Sequence, residues 1–290
     1  MAITTAPATS QPNELVAVIN SGSVANVYIS RDAYTYINNG RLQNANLIYC
    51  DVTPHMNRCQ PAITTFNGSP YISYRDYNNN LNIWKGTLDS ADDGYTWSLV
   101  IVLSPGYGGM YSSPQMAVFQ GQMFIIYGVR SVNGIRSALA ETTSPDGVNW
   151  ITSVAGLGAK AYSAPTQVGL AVMGSTLYMV TQQNNSGRHL YYWSSPDGYN
   201  WSGYQYNGLY VDSGLSMVSY NDYLIFTTKQ DNSSNHLFLF SSSNGSTWYA
   251  QQKTPVIEEN YTPSITLFNG VIAITYINPG GNSFTASTMQ

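Results

Sequence analysis

Groups able to do chemistry are scarce in this chain. Its 290 residues hold 11 Lys and Arg, 15 Asp and Glu and 3 His, so charged residues make up 9%, against roughly a quarter in an average domain. Tyrosines number 24. The residues worth following are Arg58, Arg75, Arg130 and Lys229, with Tyr111, Tyr162, Tyr261 and Gln182. Aromatic faces stack on sugar rings, while amide and guanidinium groups hydrogen-bond hydroxyls. Such a set suits a neutral, hydroxyl-rich ligand. His55, His189 and His236 are not spaced as metal ligands. No phosphate loop, nucleophile elbow or H-E-x-x-H is present. Neither a metal nor a cofactor is expected.

The balance of charge narrows the partners. A net charge of −4, with no run of Lys or Arg, predicts neither nucleic acid nor an anionic membrane surface. No apolar run approaches the roughly 18 to 20 residues that span a bilayer. The opening MAITTAPATSQPNE lacks a positive region followed by an apolar one, so a trimmed signal, another export route and an intracellular life all stay open. Cys50 and Cys59 are either a disulfide across a short loop or two buried thiols. Pairing favours an oxidising compartment, hence a secreted protein.

The elements that position these residues come from a repeat. SADDGYTW at Ser90 to Trp97 returns as SPDGVNW ending at Trp150, SPDGYNW ending at Trp201 and SSNGSTW ending at Trp248. A period near fifty residues predicts a repeat fold. From Pro61 the unit reads as a strand ITTF, an Asn67-Gly68 hairpin turn, a strand YISY, a polar loop, a strand LNIWKGTL, the Trp turn and a fourth strand. Units of four antiparallel strands arranged radially make an all-β propeller. Six blades are expected, with five as the alternative. Residues 1–13 read as a polar tail and 14–290 as one domain, with blades at 22–60, 61–113, 114–164, 165–214, 215–262 and 263–290. The last is completed by 14–20 as its fourth strand, closing the ring and covering an exposed edge.

The turn itself resembles the Asp-box of the sialidase superfamily, with Ser90, Asp92, Gly94, Thr96 and Trp97 in place. Asp146 and Asp197 directly precede their glycines, and Asn244 replaces the carboxylate in the last copy. The resemblance implies a structural turn between third and fourth strands, remote from any site. Because strand direction alternates, the loops after second strands and the linkers after fourth strands share the opposite face. That face receives all eight residues named at the outset.

Three functions compete for it. The first is a lectin-like propeller that binds glycans, with repeated loops such as YSSP at Tyr111 and YSAP at Tyr162 giving several weak sites. The second, implied by the resemblance, is a sialidase-like hydrolase. There Arg58, Arg75 and Arg130 hold a carboxylate, Tyr261 with Glu258 or Glu259 forms the nucleophile pair, and Asp76 or Asp212 is the acid. The third is a protein-binding scaffold.

Overall fold

The computed structural model describes residues 2–6, 14–21, 24–30, 37–41, 60–89, 94–105, 109–129, 138–154, 165–183, 189–202, 205–211, 213–229, 236–256, 263–277 and 284–289. They form six antiparallel sheets. The first holds β1 (Ala2–Ala6), β2 (Glu14–Ser21), β3 (Val24–Ser30) and β4 (Ile37–Arg41). The second holds β5 (Ala62–Phe66), β6 (Ser69–Arg75), β7 (Leu81–Asp89) and β8 (Gly94–Leu103). The third holds β9 (Gln115–Phe119), β10 (Gln122–Val129), β11 (Ala138–Ser144) and β12 (Ile151–Val154). The fourth holds β13 (Pro165–Met173), β14 (Thr176–Gln183), β15 (His189–Ser195) and β16 (Gln205–Tyr210). The fifth holds β17 (Ser213–Tyr220), β18 (Tyr223–Lys229), β19 (His236–Ser242) and β20 (Tyr249–Val256). The sixth has three strands, β21 (Ser264–Phe268), β22 (Val271–Ile277) and β23 (Phe284–Met289).

In every sheet consecutive strands pair, as in a meander. The first strands neighbour one another in the order β1, β5, β9, β13, β17, β21, and β21 returns to β1. The protein is therefore an all-β propeller, and no helix occurs among the described residues.

Hairpin turns set the register. Asn67-Gly68, Gln120-Gly121, Asn221-Asp222 and Asn269-Gly270 all have positive φ at both positions, from +48° to +76°, the geometry that matches the twist of paired strands. Asn, Asp and Gly tolerate it because their side chains are short or absent.

The N-terminal assignment is corrected on two points. Ala2–Ala6, placed by composition in a polar tail, is a strand paired to β2 from Ala2 opposite Val18 to Ala6 opposite Glu14. Glu14–Ser21 is the second strand of the first sheet, not the fourth of the last, so that sheet runs over 2–41 rather than 22–60. Local pairing favours this arrangement. Only residues 22 and 23 separate β2 from β3, so the hairpin closes a very short loop, and the ring is closed by β21 packing beside β1. Composition hides β1, since AITTA reads as polar, yet it nearly repeats the AITTF of β5.

Apolar side chains are buried between sheets, so the core is a series of seams. Phe66, Tyr71 and Ile83 of the second sheet meet Met116, Ile125 and Tyr127 of the third. Phe124, Ile126 and Leu139 meet Leu170, Met179 and Trp193 of the fourth. Further seams join the fourth sheet to the fifth and the fifth to the sixth. Each such large side chain contributes about 1.5–3 kcal/mol on burial, which is why alternating strand patterns recur in every unit.

Candidate functional site

The Trp turns occupy one face and lock neighbouring sheets together. In the third sheet's turn, Val148 N–H and Asn149 N–H both donate to Asp146 Oδ1 at 2.8 Å, and Asn149 Nδ2 donates to Oδ2 at 2.7 Å. Gly147 N–H donates to Ser144 Oγ at 2.8 Å. Asp197 and Ser195 repeat this pattern with Tyr199, Asn200 and Gly198. Backbone donors from Asn149 and Val148 hold the Asp146 carboxyl well below its ordinary range, and Asn200 with Tyr199 does the same for Asp197. Asn244 fills the role without charge, its Oδ1 accepting from Ser246 N–H at 2.9 Å and Thr247 N–H at 2.8 Å. Of the second sheet's turn, Ser90 and Asp92 lie outside the described residues, while Gly94 and Trp97 open β8.

The glycines of the last three turns each sit on an aromatic ring of the preceding sheet. A Cβ on Gly147 would overlap Tyr71, one on Gly198 would overlap Phe124, and one on Gly245 would overlap Tyr178. Their φ values of +71° to +84° already favour glycine. Trp150, Trp201 and Trp248 pack onto the seam cores, with Trp248 stacked on Tyr192 at 4.9 Å. Gln120 Nε2 donates to Pro196 O at 2.9 Å, so the hairpin of one sheet shares this face with the Trp turn of the next.

The opposite face carries the loops after second strands and the linkers. Arg75, Gln182 and Lys229 are each the seventh residue of a second strand counted from its hairpin. All three are buried, at 6%, 2% and 1% exposure. Arg75 Nη1 donates to Tyr111 O at 2.9 Å, and Gln182 Nε2 donates to Val211 O. Arg75 and Gln182 thus pin the linkers that lead to the next sheet. The linker at Tyr111 is gripped from the other side too, through Tyr111 N–H to Gly128 O and Gly128 N–H to Ser112 Oγ, both at 2.7 Å.

Asp76 is fully buried. Its carboxylate accepts from Asn80 N–H at 2.8 Å and from Asn82 Nδ2 at 3.0 Å, which folds the loop between β6 and β7. Burial, joined by the Asp76 charge and opposed by the Trp84 N–H, pushes the Tyr74 phenol up to about 12. It stays protonated at neutral pH. Next to Asp76, Tyr77 is 64% exposed and offers an aromatic surface on this face that sequence reasoning passed over inside the polar run DYNNN. His189 and His236 open β15 and β19 at equivalent places. Among the described residues no three His, Cys, Asp or Glu side chains cluster as metal ligands. Arg58, Arg130, Tyr162, Asp212, Glu258, Glu259, Tyr261, His55, Cys50 and Cys59 lie outside the described residues.

On the ring axis, a cavity of about 160 Å³ is lined by first strands, including Gln60 just before β5 and Thr64, Gln115, Ser216, Ser264 and Thr266. The first strands read AITTA, AITTF, QMAVF, PTQVGLAVM, SGLSMVSY and SITLF. None contains Asp, Glu, His, Lys or Arg. Among the described residues, the first strands therefore line the axis with hydroxyl and amide groups and with apolar side chains rather than with proton-transfer groups.

Solved structures of other proteins share this architecture. The fucose-specific lectin from Aleuria aurantia superposes with a TM-score of 0.66 at 13% identity, covering 100% of this chain and 91% of that one. A GH43_1 enzyme from Xanthomonas citri complexed with xylose gives 0.58 at 9% identity over 80% of this chain and 87% of its own. An α-L-arabinofuranosidase from Clostridium thermocellum gives 0.56 at 13% identity, with 80% and 89% covered. No family model matches the sequence, and no curated relative matches it. At these identities the likeness is one of fold, an all-β propeller whose structural neighbours include a fucose-specific lectin and glycosidases.

Proposed function

We propose that the protein is a lectin-like, six-bladed propeller that binds glycans on the linker face. The observation that carries this reading is the axis wall. Hydrolysis of a glycosidic bond ordinarily uses a pair of carboxyl groups flanking it, and the six first strands supply none. Hydroxyl and amide groups from Thr64, Gln115, Ser216 and Thr266 match the hydroxyls of a neutral sugar instead. Tyr77 and Tyr111 add aromatic side chains on the linker face, and Arg58, Arg130, Tyr162 and Tyr261 are the further residues we assign to the ligand. The fucose-specific lectin covers nearly the whole chain in superposition, which supports the same reading and makes fucosylated glycans the first to try.

The hydrolase reading has one observation in its favour, the likeness to GH43 enzymes. Its acid would have to come from loops, because the Asp76 carboxylate is spent on Asn80 and Asn82. A glycan array paired with aryl-glycoside turnover tests the choice. Binding to a defined glycan without turnover supports the lectin. Turnover that disappears in Tyr261→Phe, with no array ligand, replaces it with the hydrolase. Pull-down of a protein partner that free sugars do not compete points to the scaffold.

A further inference from the structure

The seam between the third and fourth sheets contains an acid where the next two seams do not. Counting back three residues from the serine that opens each turn gives Glu141, Tyr192 and Leu239. Strand register agrees, with Glu141 opposite Ile126, Tyr192 opposite Val180 and Leu239 opposite Thr227. Glu141 is 1% exposed, and its Oε2 has no hydrogen-bond partner. Facing it are the indole of Trp201 and the carboxylate of Asp197, both from the fourth sheet's turn. The Trp201 N–H is near enough to favour the charged form, but neither it nor Oε2 closes a hydrogen bond of ordinary geometry. Other neighbours bring no countercharge. β10 presents Ile126 and β12 presents Ser153, while Leu139, on the same face of β11, packs with Trp193 and Tyr191 of β15. Among the described residues, Asp197 is the charged group that faces Glu141.

We propose that this seam is a proton-operated joint: with Glu141 protonated the 195–201 turn sits closed on the third sheet, and with Glu141 ionised the turn lifts away. A buried carboxylate lacking a partner and facing a second carboxylate is unfavourable on both counts. Opening admits water to it. The contacts that part are Gln120 Nε2 to Pro196 O at 2.9 Å, Tyr199 Oη to Gln122 Oε1 at 3.2 Å, and Gly198 against Phe124. Burial is the main cause that pushes the Glu141 carboxyl up to about 7, with Asp197 adding to it and Trp201 opposing. The closed joint therefore holds a proton that the open one releases between the ordinary carboxyl value of 4.5 and about 7. Opening is least below that window, grows by up to about tenfold per pH unit across it, and levels off above it.

Amide hydrogen exchange from about pH 5 to 8, corrected for the intrinsic rate, reads the joint directly. Peptides over 195–201 and 120–126 are expected to open about tenfold or more with rising pH and then level. The 242–248 turn, whose seam carries Tyr192 stacked on Trp248, is the reference inside the same molecule and should stay flat. Glu141→Gln and Glu141→Leu should both abolish the rise, the second placing in this seam the side chain found at 239. Asp197→Asn should end the rise at lower pH. A flat wild-type profile, a rise shared by 242–248, or a rise that survives either Glu141 variant overturns the proposal.

Discussion

The two faces of the ring are built differently. On the Trp face, turns of one design recur, and the same glycine-on-aromatic contact joins the second, third, fourth and fifth sheets. On the linker face, the same strand position holds Arg75, Gly128, Gln182 and Lys229 in successive sheets. Repetition marks what the architecture needs, and departure from it marks where individual linkers are shaped. Burial qualifies that rule, because Arg75 and Gln182, which looked available for a ligand, are enclosed and hold linker carbonyls.

This contrast is sharpest in two glycines. Gly198→Ala should destabilise by about 3 kcal/mol or more, since it adds a Cβ at positive φ and drives it into Phe124. Gly121→Ala also falls at positive φ, but a Cβ there meets nothing within 4 Å, so only about 1–2 kcal/mol is expected. Urea unfolding of both variants checks the difference. Equal losses would mean that the turn glycine does not wedge the sheets together.

On the linker face the expected effects are smaller and separate stability from binding. Gln182→Ala leaves Val211 O without its buried donor and should cost about 1–3 kcal/mol while glycan affinity stays as it was. Tyr261→Ala should do the reverse, lowering affinity about tenfold through loss of a stacking surface and leaving the unfolding midpoint in place. Calorimetric titration alongside unfolding distinguishes them.

The smallest effect concerns the turn carboxylates. The hydrogen bonds that lower the Asp146 carboxyl are present in the folded state only. Their stabilisation is thus complete above the ordinary Asp range and is lost as pH falls through and below it. Asp146→Asn, which copies Asn244, should leave stability at neutral pH nearly unchanged and make acid unfolding less steep. An unaltered acid limb would contradict this.

Much of this fold is legible in the sequence because its period is carried by turns. Asn67-Gly68, Asn269-Gly270 and the Trp motifs declare hairpins locally, and the seams follow from strand alternation. β1 is not legible, because AITTA has the composition of a tail and becomes a strand only through pairing to β2. The partition of the linker face is also hidden. Nothing in the letters of Arg75 and Asp76 reveals that one donates to Tyr111 O and the other accepts from Asn80 and Asn82. Only the three-dimensional course of the linker decides that. Glu141 did leave a sign, an acid at an inward position of SALAETTS, but its meaning depends on a turn more than fifty residues later in the chain.

The central claim is that ligand and architecture occupy opposite faces. Hydrogen exchange with and without a fucosylated glycan found on the array tests it most directly. Added protection at 60–64, 76–80 and 109–113 and in the linkers holding Tyr162 and Tyr261, with the 144–150, 195–201 and 242–248 turns unchanged at fixed pH, is the predicted result. Protection concentrated in those Trp turns would contradict it.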